Sequence, residues 1–124
     1  MSSDPERLKY DPIAELVKVT PVAAIIVEME TLSIVVVNEA TLKLLGYSEH
    51  ELLGHSLMEV VPTEDILSVQ HAAEEPPPEG ETQWRCLTKD GTMLHLKLKY
   101  RDTIYQNKAA RFIVTLESSS TPFE

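Results

Sequence analysis

The chain has 124 residues, 43% of them hydrophobic, and no apolar run approaches the roughly 18 to 20 residues that a membrane-spanning helix needs. Twenty acidic against eleven basic side chains give a formal net charge of −9, the wrong sign for neutralising a phosphate backbone, so neither nucleic acid nor membrane is expected as a partner. Cys86 is the single cysteine, which rules out an intrachain disulfide. A lone thiol fits a reducing compartment, and MSSDPERLKY lacks the basic flank and apolar stretch of a secretory signal, so a cytoplasmic location is expected. A chain of this size buries about two thirds of its unfolded surface, enough for one core.

Residues 1–11 read as a flank. Asp11 can cap a helix with Pro12 at its first position, and Ile13, Leu16 and Val17 follow at helical spacing until Pro21 stops it. This short amphipathic helix must dock on something apolar, either its own domain or a partner chain. VAAIIVEM and SIVVVN are β-branched runs separated by ETL, which predicts two strands joined by a tight connection. Asn38 can then cap a helix over 39–45 that ends at Gly46, and Ser48 with Glu51 forms a capping-box pattern for a second helix that ends at Gly54. SLMEVV makes a further turn before Pro62, TEDILSVQHAAEE a longer helix, and PPPEG a break.

From Glu81 the period changes to two. TQWRCLT, a Lys89-Asp90-Gly91 turn and TMLHLKLKYRDTIY predict a hairpin, with Leu94, Leu96, Leu98 and Tyr100 on one face. His95, Lys97, Lys99 and Arg101 fall on the other, which reads as a solvated strand face. QNKAA is read as the next turn and RFIVTLE as the last strand, with residues 120–124 a linker or disordered tail. Strands segregated from helices give an α+β domain over 12–119, a sheet with helices over one face.

This order resembles the PAS family of sensor and interaction domains. The likeness is carried by IVVVNEATLKLLGYSEHELLGHSLMEVVP, similar to the family's Asn-x-Ala, Leu-Gly-Tyr-Ser and Glu-Leu-Leu-Gly sequence, and by RCLTKDGTMLHLKL, similar to its Lys-Asp-Gly hairpin. The resemblance implies a five-stranded antiparallel sheet, short helices wrapped over one face, and space between them for side chains or a ligand. It implies a non-catalytic sensory or regulatory role, homodimerisation through the front helix and the outer sheet face, with Ile113 contributing, and relay to an effector such as a histidine kinase. Where the family carries Asp-Ile-Thr after the last strand, this chain has Glu117-Ser118-Ser119, which puts the coupling role in doubt.

Three chemical readings follow. The light-sensing, flavin-binding branch carries a reactive cysteine where this chain reads GHSLMEVVPTED, so no flavin–cysteine adduct is expected, and Cys86 beside Trp84 reads as a small buried side chain. The haem-binding branch carries a histidine on the longest helix; His71 stands there but near the helix end, a poor match for a haem ligand, which leaves a haem-binding gas or redox sensor as the weaker alternative. His50, His55 and His95 show no metal-ligand spacing, and no phosphate loop, nucleophile elbow or converging carboxylate pair is present. What remains is a candidate cavity formed by Leu57, Met58, Val61, Ile66, Val69 and Gln70 from the helices with Trp84, Leu96, Leu98, Phe112 and Val114 from the strands. Two readings stay open for it, a packed core and a small-molecule pocket. The first makes the domain an interaction module, the second a sensor.

Overall fold

The computed structural model describes residues 11–74 and 81–123. The first helix, α1 (Pro12–Val19), begins where Asp11 Oδ1 accepts the Ile13 N–H at 2.9 Å, with Pro12 supplying a fixed φ at a position that needs no donor. It docks on its own domain: Ala14 and Val17 are buried against Ala24, Ile26, Val36 and Ala110 on one face of the sheet.

Strands β1 (Ala24–Glu28) and β2 (Ile34–Val37) pair antiparallel. Ile26 faces Val36 while Val27 faces Ile34, so Val35 is an extra residue, a β-bulge. The bulge resets the alternation, which is why Ile34 and Val37 share the face that packs under the helices. Helices α2 (Glu39–Leu45) and α3 (Glu49–Leu52) follow. Gly46 closes α2 in the left-handed region at φ 82°, and α3 carries the full Ser48/Glu51 capping box. A 3-10 turn (Leu57–Val60) has its own capping box, Ser56 with Glu59, and a second (Thr63–Asp65) runs into α4 (Ile66–Glu74). The proline run that was expected to end this helix lies outside the described residues.

The remaining strands are β3 (Glu81–Leu87), β4 (Met93–Tyr105) and β5 (Lys108–Ser119), and the sheet order is β2-β1-β5-β4-β3, antiparallel throughout. The turn between β4 and β5 is shorter than QNKAA. Only Gln106 and Asn107 are outside the ladder, both left-handed at φ 49° and 66°, the two-residue geometry whose twist matches a hairpin. Lys108, Ala109 and Ala110 are therefore strand residues paired with Tyr105, Ile104 and Thr103. A second bulge, at Leu116, separates the pairs Leu98–Thr115 and Lys97–Glu117. Past β5, the Lys97 ammonium lies 4.8 Å from the Phe123 ring centroid.

The sheet is thus covered on both sides. Short helices α2 to α4 and the 3-10 turns bury one face, with Val27, Val37, Leu45, Leu52, Val60 and Leu98 among the core side chains, and α1 covers part of the other. Among the described residues no helix is long and apolar enough to cross a membrane.

Candidate ligand cavity

Between the helices and the sheet lies a cavity of about 120 Å³. Its floor is built from alternate strand residues: Ile25 and Val27 of β1, Leu96, Leu98 and Tyr100 of β4, Arg111, Ile113 and Thr115 of β5. Its roof is Leu45 of α2, Leu52 of α3, Leu57, Val60 and Val61 around the first 3-10 turn, and Val69, Ala72 and Ala73 of α4. Trp84, Arg85 and Cys86 of edge strand β3 complete it.

Of the expected cavity residues, Leu57, Val61, Val69, Trp84, Leu96 and Leu98 are brought together there. Met58, Ile66 and Gln70 are not: Leu57 and Val60 repeat at the spacing of three that a 3-10 turn aligns, and Val69, Ala72 and Ala73 at helical spacing, which turns the intervening side chains away. Gln70 and His71 sit on the exposed side of α4, so His71 does not reach the cavity. Phe112 and Val114 belong to the other side of the sheet, under α1, while Ile113 faces the cavity and not the outer surface. The parity of β5 is reversed from expectation because Phe112-Ile113-Val114 is uniformly apolar and carries no alternation to read.

Four tethers fasten the roof to strands or to the β3–β4 turn. Leu45 carbonyl accepts from the Lys89 N–H at 2.9 Å, and Tyr47 hydroxyl donates to the Leu87 carbonyl at 3.2 Å. Arg85 reaches Asp65 in a fork, Nε to Oδ2 at 2.8 Å and Nη2 to Oδ1 at 2.7 Å, with Glu64 Oε1 at 3.1 Å from Nη2. Arg111 Nη1 donates to the Ala72 carbonyl at 3.3 Å in the last turn of α4. Lys89 also pairs with Glu51 at 2.9 Å, and that hydrogen bond, followed by one from the Ser48 backbone, holds the Glu51 carboxyl down at about 2.

Burial pushes the Cys86 thiol up to about 12, so at neutral pH it is a protonated wall of the cavity. Burial likewise raises the Tyr47 hydroxyl. The Arg85 hydrogen bonds hold the Asp65 carboxyl below its ordinary range despite some opposing desolvation. A carboxyl lowered on folding contributes stability above its unfolded value, near 3.9, and loses it as pH falls through the folded one. Asp65→Asn is therefore expected to cost about 1 kcal/mol at pH 7 and nothing once the parent carboxyl is protonated. Urea unfolding at pH 7 and in acid checks this, and a gap that stays constant between the two would refute it.

Among the described residues no three His, Cys, Asp or Glu side chains converge to hold a metal ion. The arrangement instead offers a largely apolar cavity with two arginines in its wall. Neither was marked by the sequence, because a basic residue inside a strand reads as solvated. One clue was present: Asp102 and Arg111 are equidistant from a two-residue turn at Gln106-Asn107, which places them opposite each other.

A family model described as the PAS fold matches residues 13–117. The chain belongs to the PAS family. Its fold is similar to that of a PAS domain from a two-component sensor histidine kinase, with a TM-score of 0.72 at 14% identity over 92% of this chain and 99% of that one. It is similar also to the PAS domain of an HTR-like protein from Haloarcula marismortui, with a TM-score of 0.67 at 19% identity over 84% and 87%. The Rhodobacter sphaeroides LOV protein aligns with a TM-score of 0.70 at 15% identity over 94% of this PAS domain and 68% of the other chain. At these identities the likeness is one of fold. No curated protein sequence matches. In this PAS domain the short helices expected from LKLLGYSEHELLGHS form the cavity roof, and their capping residues set the tight turns between them.

Proposed function

We propose that this PAS domain is a non-catalytic sensory or regulatory module of a cytoplasmic signalling protein, whose cavity takes a small molecule and whose occupancy is relayed to an effector. The observation that carries the reading is the largely apolar cavity roofed by four short helical segments. An apolar cavity of roughly 150 Å³ is large enough to bind benzene. The space here, about 120 Å³, suits a guest of that order. Pockets for drug-sized ligands begin at roughly 300 Å³. No histidine lines this cavity and its one thiol is protonated, so neither its size nor its donors favour flavin or haem.

Relay is supported by the tethers, which join the roof to β3, β5 and the β3–β4 turn, so a guest that shifts the roof acts on the sheet. A guest moves such an equilibrium only by binding one arrangement better than the other. Titration with benzene, followed by methyl NMR of Ile25, Val27, Leu52 and Ile113, together with native mass spectrometry of freshly purified protein, tests the reading. Shifts confined to those methyls, or a retained small mass, support it. Unmoved methyls and a bare polypeptide mass leave an interaction module with a filled core.

Homodimerisation belongs to the same reading. Its support is the outer edge of α1, where Leu16 is 58% and Val19 72% exposed although the opposite side of the helix is fully buried. Val19→Glu is expected to turn a dimer into a folded monomer by sedimentation equilibrium. A parent chain that sediments as a monomer at its highest soluble concentration would remove pairing from the proposal.

A further inference from the structure

The two arginines in the cavity wall differ in what already holds them. Arg85 meets two carboxylates, Asp65 and Glu64, so its charge is more than cancelled and a further anion would be repelled. Arg111 meets one. Its Nε donates to Asp102 Oδ1 at 2.6 Å and its Nη2 to Asp102 Oδ2 at 3.2 Å, and the remaining bond is the longer one from Nη1 to Ala72. Those three bonds use three of the five N–H groups of a guanidinium, and no acceptor among the described residues takes the second N–H of either terminal nitrogen.

Burial makes this arrangement unequal. The Arg111 side chain is 9% exposed and the Asp102 side chain 58%, so the acid keeps most of its hydration and can turn into water at little cost while the cation cannot. The Tyr100 ring, 4.3 Å from the guanidinium carbon, fixes the plane of the fork. Val27, the strand partner of Arg111, and Ile113, two residues along the same face, extend the apolar wall from that point.

We infer that the cavity takes a compact apolar molecule bearing a carboxylate, with the apolar body against Val27 and Ile113 and the carboxylate on the Arg111 fork in place of Asp102. This rests on the ligand reading of the cavity and adds the chemical class of the guest. Once Asp102 turns into water, the Nε and Nη2 N–H groups it held match the guest carboxylate in two parallel hydrogen bonds, and the apolar surroundings strengthen them. A dianionic head is disfavoured, since a single cation faces it and the carbonyl end of α4 lies alongside.

Benzoate and benzyl alcohol present the same ring with and without the charge, and titrating each into the full chain by methyl NMR tests the inference. Benzoate is expected to bind about tenfold or more tightly, and Arg111→Met to erase that advantage. Asp102→Asn, at an exposed position that folding should tolerate, removes the competing carboxylate and is expected to tighten benzoate binding severalfold. Equal binding of the two probes, or an advantage that survives Arg111→Met or is unmoved by Asp102→Asn, overturns the carboxylate assignment and leaves the cavity reading standing. If neither probe shifts the cavity methyls, both fall.

Discussion

Asn38→Ala is expected to cost about 3 kcal/mol, lowering Tm by roughly 10 to 15 °C, far more than the loss of a helix cap alone. Asn38 is 3% exposed, and its amide joins three elements. Its Oδ1 accepts the Thr41 N–H at 3.1 Å, which caps α2, and also the Thr41 hydroxyl at 2.8 Å and the Ala24 N–H at 3.1 Å at the start of β1. Its Nδ2 donates to the carbonyls of Val17, Thr20 and Val22 at 3.0, 3.1 and 2.8 Å, the segment that leaves α1. Alanine strips the partner from buried groups on both sides, and each unsatisfied group costs about 1 to 3 kcal/mol where water cannot replace it. Asn38→Asp separates the two roles. Aspartate caps helices as well as asparagine does, yet here it would aim a carboxylate oxygen at three carbonyls. Urea unfolding monitored by circular dichroism should place Asn38→Asp at least as low as Asn38→Ala. Near-parental stability for the aspartate variant would mean that the cap alone matters.

How far this arrangement could be read beforehand depends on how locally each feature is encoded. Asp11-Pro12, Asn38 and Ser48 with Glu51 announce their helices because capping is an interaction over two or three residues, and each cap is made as expected. That Asn38 also binds Val17, Thr20 and Val22 could not be seen, since those bonds span 16 to 21 residues of chain. The faces of residues 94–101 in β4 were legible from the alternation of leucine and tyrosine with basic side chains. The face of β5 was not, because three adjacent apolar residues pack, each partly buried, on opposite sides of a sheet that is covered twice. The bulges at Val35 and Leu116 leave no local mark either, and each shifts the alternation beyond it by one residue. The cavity residues that were misplaced are Phe112 and Val114, from the unmarked parity of β5, Met58, from the exact turn of a 3-10 segment, and Ile66 and Gln70, from the phase of α4.

The roof should be the weakest part of the cavity and the most responsive to a guest, and Leu52→Ala is the substitution that exposes both properties. Leu52 is 2% exposed, the single buried residue of a four-residue helix, and it belongs to the core cluster as well as to the cavity wall. Its truncation is expected to cost about 3 kcal/mol, since a leucine removed from a core loses its transfer energy and adds a term for the hole left behind. The hole here opens onto space that already exists, so the two volumes merge. A bulkier apolar guest such as indole should then bind the variant better than the parent, and at a hundredfold excess over its Kd restore about 2.7 kcal/mol. Leu67→Ala on α4, where the side chain is 79% exposed, should change neither quantity. Thermal unfolding with and without indole separates the outcomes. A Leu52→Ala chain that loses stability and is not rescued would show that α3 collapses into the space it leaves, in which case the roof deforms too readily to hold a guest and the cavity is a packing gap.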